Sequence, residues 1–175
     1  MLRRLRESDA PLMLEWMHDE DLVKDLHKNF ASMTIDNCKS FIERAATDSS
    51  NLHLAIADDN DEYMGTVSLK DINYDLGIAE FGIVIRRAAT GKGLSAAGMK
   101  EILGYASLGK ELQKPLSQIY WCVDSKNARA LRFYDKNGYQ RVKIEEYPDL
   151  LAHIETSGDY SDEEIKNFVW YNYQV

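Results

Sequence analysis

The chain has 175 residues, 45% of them hydrophobic and 29% charged, with a formal net charge of −8. That is enough apolar material to bury a core, and the acidic balance, with Lys and Arg scattered rather than striped, argues against a nucleic-acid partner. No apolar run of about 18 residues is present to cross a membrane, and "MLRRLRESDA" lacks the apolar core of a signal peptide.

Taken in order, "LRRLRESD" reads as a short strand, with Ser8 or Asp9 as N-cap and Pro11 just inside the helix over 10–18. "DEDLVKDLH" reads as a further turn or short helix. "TIDNCKSFIERAA" opens on Thr34 and repeats Ile35, Cys38, Phe41, Ile42 and Ala45 at helical spacing. "NLHLAIADD" and "EYMGTVSLKDI" alternate around the turn "DDND", which predicts an antiparallel hairpin over 51–72. "AEFGIVIRR" is a third core strand. Residues 91–108 place Leu94, Gly98, Ile102 and Tyr105 on one helix face, widened by Met99, Leu103 and Ala106.

"LSQIYWCVD" is a strand, and "KNARALRFYDKNGY" a helix with Gly138 at its C′ position. "YQRVKIEEY" and "NFVWYNYQV" read as closing strands. The segment 148–165, the least patterned and most acidic, reads as a long surface connection. The order β-α-α-β-β-β-α-β-α-β-β predicts one α+β domain over 1–175: a mixed, mostly antiparallel sheet of about seven strands flanked by about four helices. "NFVWYNYQV" is apolar enough to pair with another copy if it lies at an edge, which leaves a homodimer open.

The stretch "TGKGLS", 90–95, joins a core strand to a helix. It lacks the GxxxxGK[ST] of a nucleoside-triphosphate loop and the third glycine of GxGxxG. First-turn amides have no intrahelical partner and the helix dipole favours anions there. Gly91 and Gly93 let a phosphate approach the backbone, and Lys92 adds a cation. The same letters also suit a plain helix start.

"NARALRFYDKNGYQ", 127–140, decides between these. With "AEFGIVI" and "GKGLS" it resembles the GNAT superfamily of N-acetyltransferases. That family pairs R/Q-x-x-G-x-G/A at a strand-to-helix turn with a later N-x-x-A-x-x-x-Y helix that runs on to an aromatic residue after a glycine. Asn127, Ala130, Tyr134, Gly138 and Tyr139 match the second pattern in order and spacing. The resemblance covers about residues 1–147 and is to the spermidine and ribosomal-protein branches; "LMLEWMHDEDLVKDL" is also similar to the N-terminal helices of amino-sugar acetyltransferases. Thr90 stands where Arg or Gln is usual, Ser95 where Gly or Ala is usual, and Cys122 where many relatives carry a Glu base.

The resemblance implies acetyl-CoA as co-substrate and direct acetyl transfer to an amine: a polyamine, an amino sugar or a protein N-terminus. It implies main-chain contacts to the pantetheine arm from Ile83, Val84 and Ile85, on a strand that splays from its neighbour. The pyrophosphate falls to Thr90, Gly91, Lys92, Gly93, Leu94 and Ser95. It gives Tyr134 the protonation of the leaving thiolate, and Asn127 a ligand contact beside its N-cap role. Glu80 is the candidate to accept the amine's proton through water; otherwise it is a solvated strand-end charge. A non-catalytic acyl-CoA sensor with the same fold is the alternative.

Cys38 and Cys122 show neither metal spacing nor a disulfide framework, so no metal and a reducing, cytoplasmic setting are expected. Cys122 reads as packing rather than as a nucleophile. His18, His27 and His53 lack partners at useful spacing. Trp16, Phe30 and the acidic residues Asp19, Glu20 and Asp21 lie where the family covers its acceptor, and acidity there suits a cationic amine or only a solvated helix face.

Overall fold

The structure, a computed structural model, describes residues 1–24, 26 and 28–175. His27 lies outside the described residues, as does part of the helical turn expected over 19–27. One seven-stranded sheet runs through the molecule in the order β1-β2-β3-β4-β5-β7-β6. Its strands are β1 (Leu2–Arg4), β2 (Leu52–Ala57), β3 (Tyr63–Asn73), β4 (Ile78–Ile85), β5 (Gln118–Asp124), β6 (Arg141–Val142) and β7 (Phe168–Gln174). Every pairing is antiparallel except β4 with β5. The helices are α1 (Ala10–Met17), α2 (Glu20–Val23), α3 (Ile35–Ala45), α4 (Leu94–Leu108), α5 (Ala128–Lys136), α6 (Pro148–Ser157) and α7 (Asp162–Asn167).

The alternation of side chains along each strand sorts the core into two faces. On one face Leu54, Ile56, Val67, Leu69, Phe81, Ile119 and Trp121 meet Met99, Ile102 and Leu103 of α4 and Tyr134 of α5. The stripe read over 91–108 is that buried surface, and α4 makes the crossover between the parallel strands β4 and β5. The other face carries two separate covers. Met13, Trp16 and Met17 of α1 and Cys38, Ile42 and Ala45 of α3 pack there with Ala55 and Tyr63. Leu150, Ile154 and Ile165 of α6 and α7 cover Ile78, Tyr120 and Trp170.

Local signals set most element ends. Thr34 caps α3 reciprocally: Asn37 N donates to Thr34 Oγ1 at 3.2 Å and Thr34 N to Asn37 Oδ1 at 2.9 Å. Asp9 holds the N-cap position of α1 but does not cap it. Its carboxylate turns back to accept Arg3 Nη1 at 2.8 Å and Nη2 at 2.9 Å, tying α1 to β1.

Three expectations are corrected. The segment 148–165 is not an irregular connection: Pro148 opens α6, and Ser161 forms a capping box with Glu164 at the start of α7. A few apolar side chains, Leu150 and Ile154 above all, hold this acidic stretch on the sheet, which raises the helix number from about four to seven among the described residues. The strand expected over 139–147 is only Arg141–Val142, because Ile144 turns inward on a 3-10 turn. Finally, β7 is not an edge strand. It pairs with β5 from Gln118↔Gln174 to Asp124↔Phe168, and β6 caps its far side at Tyr171 and Trp170.

Candidate active site

The parallel strands β4 and β5 share only the rungs Ile78↔Gln118, Ala79↔Ile119 and Glu80↔Tyr120. Beyond them β4 continues to Ile85 on β3, and β5 to Asp124 on β7. A wedge therefore opens in the middle of the sheet, with Phe81–Ile85 forming one wall. Opposite its root β3 bulges between Lys70 and Asn73, where Asp71 adopts φ 47°. Ile83 and Ile85 send their side chains to the α4 and α5 face and Val84 to the α1 and α3 face, so the main chain of β4 is what lines the wedge.

Past β4, Arg86 is buried and donates to Glu15 at 3.1 and 2.9 Å, to Glu62 at 2.7 Å and to Tyr63 O at 2.8 Å. Arg87 grips Asp19 at 2.8 and 2.6 Å. These pairs root the loop that follows and absorb most of the local basic excess. Gly91 and Gly93 have φ 78° and 74°, a conformation costly for other residues. A Cβ at either would meet nothing within 4 Å, so the space in front of them is open. Gly93 is the N-cap of α4 and offers no side chain to its first-turn amides, which Leu94 and Ser95 begin. Thr90, Gly91, Lys92 and Gly93 are exposed. An uncapped helix N-terminus behind an open glycine loop is a fit for a phosphate group.

Tyr134 lies on the α5 side of the wedge. Its ring is buried among Phe81, Trp121, Tyr139 and Tyr171, with centroids 6.5, 5.2, 6.3 and 5.1 Å away. Burial pushes the phenol's pKa up, so the hydroxyl stays protonated, and it makes no hydrogen bond among the described residues. Asn127 caps α5, its Oδ1 accepting Ala130 N at 3.0 Å.

The opposite side of the wedge holds a polar group that the sequence reading largely missed. Glu80 is not at a solvated strand end; it is inside β4 and 4% exposed. Its Oε1 accepts Lys70 Nζ at 2.7 Å and the Tyr160 hydroxyl at 2.8 Å. Asp71 and Asp159 lie close by, with carboxylate oxygens of all three acids within 4.8 Å of one another. Burial, and then a hydrogen bond shared with Asp159, raise the Asp71 pKa. Tyr160 also shares a hydrogen bond with Cys122, whose thiol burial pushes up to about 12, so it is no thiolate at neutral pH. Tyr160 stands in the α6–α7 connection, where no periodicity marks it. Lys70 and Asp71 sit at a bulge that only pairing defines.

Of the histidines singled out in the sequence, His18 and His53 fall elsewhere. His18 Nε2 lies 2.8 Å from Met33 O. His53 is packed on Phe41 and hydrogen-bonded to Ser68 Oγ at 2.7 Å. Trp16 and Phe30 meet edge to face at 5.1 Å, and Asp19 is already engaged by Arg87.

A splayed parallel pair followed by a glycine-opened helix start is the arrangement of a GNAT acetyltransferase, and residues 1–140 match the family model of the acetyltransferase (GNAT) domain; the chain belongs to that family. It is an acyltransferase, of a class that uses acetyl-CoA to acetylate amines. No curated sequence matches the chain. Among solved structures it is similar to the spermidine N-acetyltransferase of Vibrio cholerae in complex with CoA and spermine, at 22% identity and TM-score 0.71 over 82% of each chain. A chimera of the Vibrio cholerae enzyme and hSSAT gives 22% identity and TM-score 0.68, covering 99% of this chain and 95% of that one. The Vibrio cholerae enzyme with manganese ions gives 19% and 0.66 over 99% and 91%. No helix is long and apolar enough to cross a membrane among the described residues.

Proposed function

We propose that this chain transfers the acetyl group of acetyl-CoA directly to a primary amine of a polyamine. The observation that carries the reading is the parting of β4 from β5 at Glu80, with the Asp71, Glu80 and Asp159 carboxylates gathered beside it. A flexible polycation is the acceptor such a lining suits, since carboxylates crowded together gain from a cation that stays with them. An open cleft of about 540 Å³ adjoins the group, lined by Asp71, Asn73, Tyr74, Asp75 and His153 among others, and gives a long amine room to extend. The solved structures named above support the same class of acceptor.

Acetyl-CoA supplies the acetyl group as a thioester. The main chain of Ile83, Val84 and Ile85 holds its arm along the wedge, and Thr90–Ser95 with the first-turn amides of α4 hold its phosphates, Lys92 adding a cation. Asn127, while capping α5, also contacts the arm or the acetyl group. An ammonium cannot attack, so the amine must lose a proton; Glu80 receives it, on an oxygen kept in place by Lys70 and Tyr160. Tyr134, neutral and otherwise unpartnered among the described residues, donates to the sulfur as it leaves. Cys122 stays a thiol and takes no acyl group.

The test is release of CoA thiol in a panel of spermidine, spermine, glucosamine and peptides with free N-termini. Turnover fastest with the polyamines is expected. Turnover confined to the sugar or the peptides would overturn the acceptor class. Acetyl-CoA should also stabilise the fold, by about 2.7 kcal/mol at a hundredfold excess over Kd.

A further inference from the structure

Lys70 is opposite Glu80 in the β3–β4 pairing, and its side chain bends across β4. A Cβ built on Gly82 would lie 3.2 Å from Lys70 Cε and 3.8 Å from Nζ. Gly82 needs no unusual backbone angle. Its missing side chain instead leaves the room that the lysine head fills. Gly82 is two residues past Glu80↔Tyr120, the last rung that β4 shares with β5. Lys70 Nζ thus rests on the stretch of β4 that has parted from β5, donates to Glu80 Oε1 at 2.7 Å, and belongs to a side chain 36% exposed. A primary amine, on the carboxylate that receives the proton, above the open edge of β4, is what the acceptor must be.

We infer that Lys70 is an internal acceptor: without a free amine, the enzyme acetylates its own Lys70 Nζ. The inference rests on the function proposed above. The chemistry balances without a further reactant. The Lys70 ammonium passes one proton to Glu80, which returns it to solvent. The neutral nitrogen forms a bond to the acetyl carbon and gives up its second proton to solvent, the carbon–sulfur bond breaks, and the sulfur leaves as CoA with a proton from Tyr134, which solvent restores. The products are Nε-acetyl-Lys70 and free CoA. The resulting amide carries no charge, so Glu80 loses its ion pair and keeps Tyr160 as its donor.

The experiment incubates the full chain with acetyl-CoA and no amine, then maps acetylated lysines by peptide mass spectrometry over time. Lys126 and Lys166, both exposed, report the uncatalysed background. Lys70 should be modified on the order of a hundredfold faster than these, the scale of advantage that positioning a nucleophile provides. Excess spermidine should suppress the modification, and Gly93→Val should slow it at Lys70 but not at Lys126 or Lys166. Lys70 modified no faster than the exposed lysines, in a chain that turns over spermidine, overturns the inference and leaves the proposed function standing. Lys70 modified rapidly in a chain that turns over no amine supports the inference and overturns the polyamine reading. Neither event overturns both.

Discussion

Glu80 and Tyr120 form the last rung that β4 and β5 share. Each strand keeps its other neighbour beyond that rung, so the wedge is held open by β3 on one side and β7 on the other. The side of the β4 main chain that β5 has left is then available to a ligand, because amide and carbonyl groups in a sheet require partners. Glu80 marks the apex on one face and Phe81, against Tyr134, marks it on the other.

Replacing Tyr134 by Phe removes one hydroxyl that no described residue uses. Packing among Phe81, Trp121 and Tyr171 is retained, so stability should change little. Turnover should fall by about 10²-fold, within the range for a lost acid–base group, while acetyl-CoA affinity stays within about twofold, since only the departing sulfur needs the proton. Steady-state kinetics and calorimetry check both halves. Unaltered turnover would remove Tyr134 from the chemistry.

Gly93→Val should act on the cofactor instead. At φ 74° a β-branched residue strains the backbone by about 1–2 kcal/mol, and its side chain fills the space in front of the α4 amides. Acetyl-CoA affinity should fall about tenfold or more, corresponding to 1.4 kcal/mol or above. Binding of undiminished strength would sink the phosphate cradle.

Tyr160→Phe deletes one donor to Glu80 Oε1, leaving Lys70, and keeps the ring against Phe168 and Trp170. The expected result is a lower kcat with a melting temperature that changes little, because the carboxylate loses a donor that keeps its oxygen in place. A purely structural role predicts an unchanged kcat and a lower melting temperature, which steady-state kinetics and thermal denaturation together distinguish.

His53 makes stability depend on pH. Burial lowers its pKa from 6.5 to about 4, so the fold keeps it neutral where the unfolded chain would protonate it. The sign follows: the unfolded state binds more protons between these values, and stability is lost as pH falls from 6.5 towards 4. The full loss is on the order of 3 kcal/mol. Urea midpoints from pH 7 down to pH 5 should fall in the parent and fall less in His53→Gln. Parallel curves would assign the pH dependence elsewhere.

Ile154→Ala tests the packing of α6. Ile154 is 1% exposed beneath a segment that reads as acidic surface. Truncation of a buried Ile to Ala costs about 2–4 kcal/mol. A loss below about 0.5 kcal/mol, typical of surface positions, would mean that α6 is not docked on the sheet.

Much of this was legible in the chain itself. Periodicity 3.6 and 2 places α3, α4, α5 and the 51–72 hairpin, because each must present one apolar face to a shared core. Gly91, Gly93, Asn127 and Tyr134 declare the family through local spacing, since a helix start and a helix face are short-range objects. The helices of 148–165 were hidden because a few buried side chains outweigh composition: Leu150 and Ile154 hold α6 on the sheet despite its acidic surroundings. The position of β7 between β5 and β6 was equally hidden, because strand order depends on pairing between distant segments. The same holds for the site's polar side. Lys70, Glu80, Cys122, Asp159 and Tyr160 come from four separate stretches, and no spacing relates them. They meet only because β3 bulges opposite the last shared rung and the α6–α7 connection lays a phenol on Glu80. Local sequence thus determined which elements form and which family they build; tertiary structure alone decided which charges face one another across the wedge, since ionic contacts between distant segments have no sequence period.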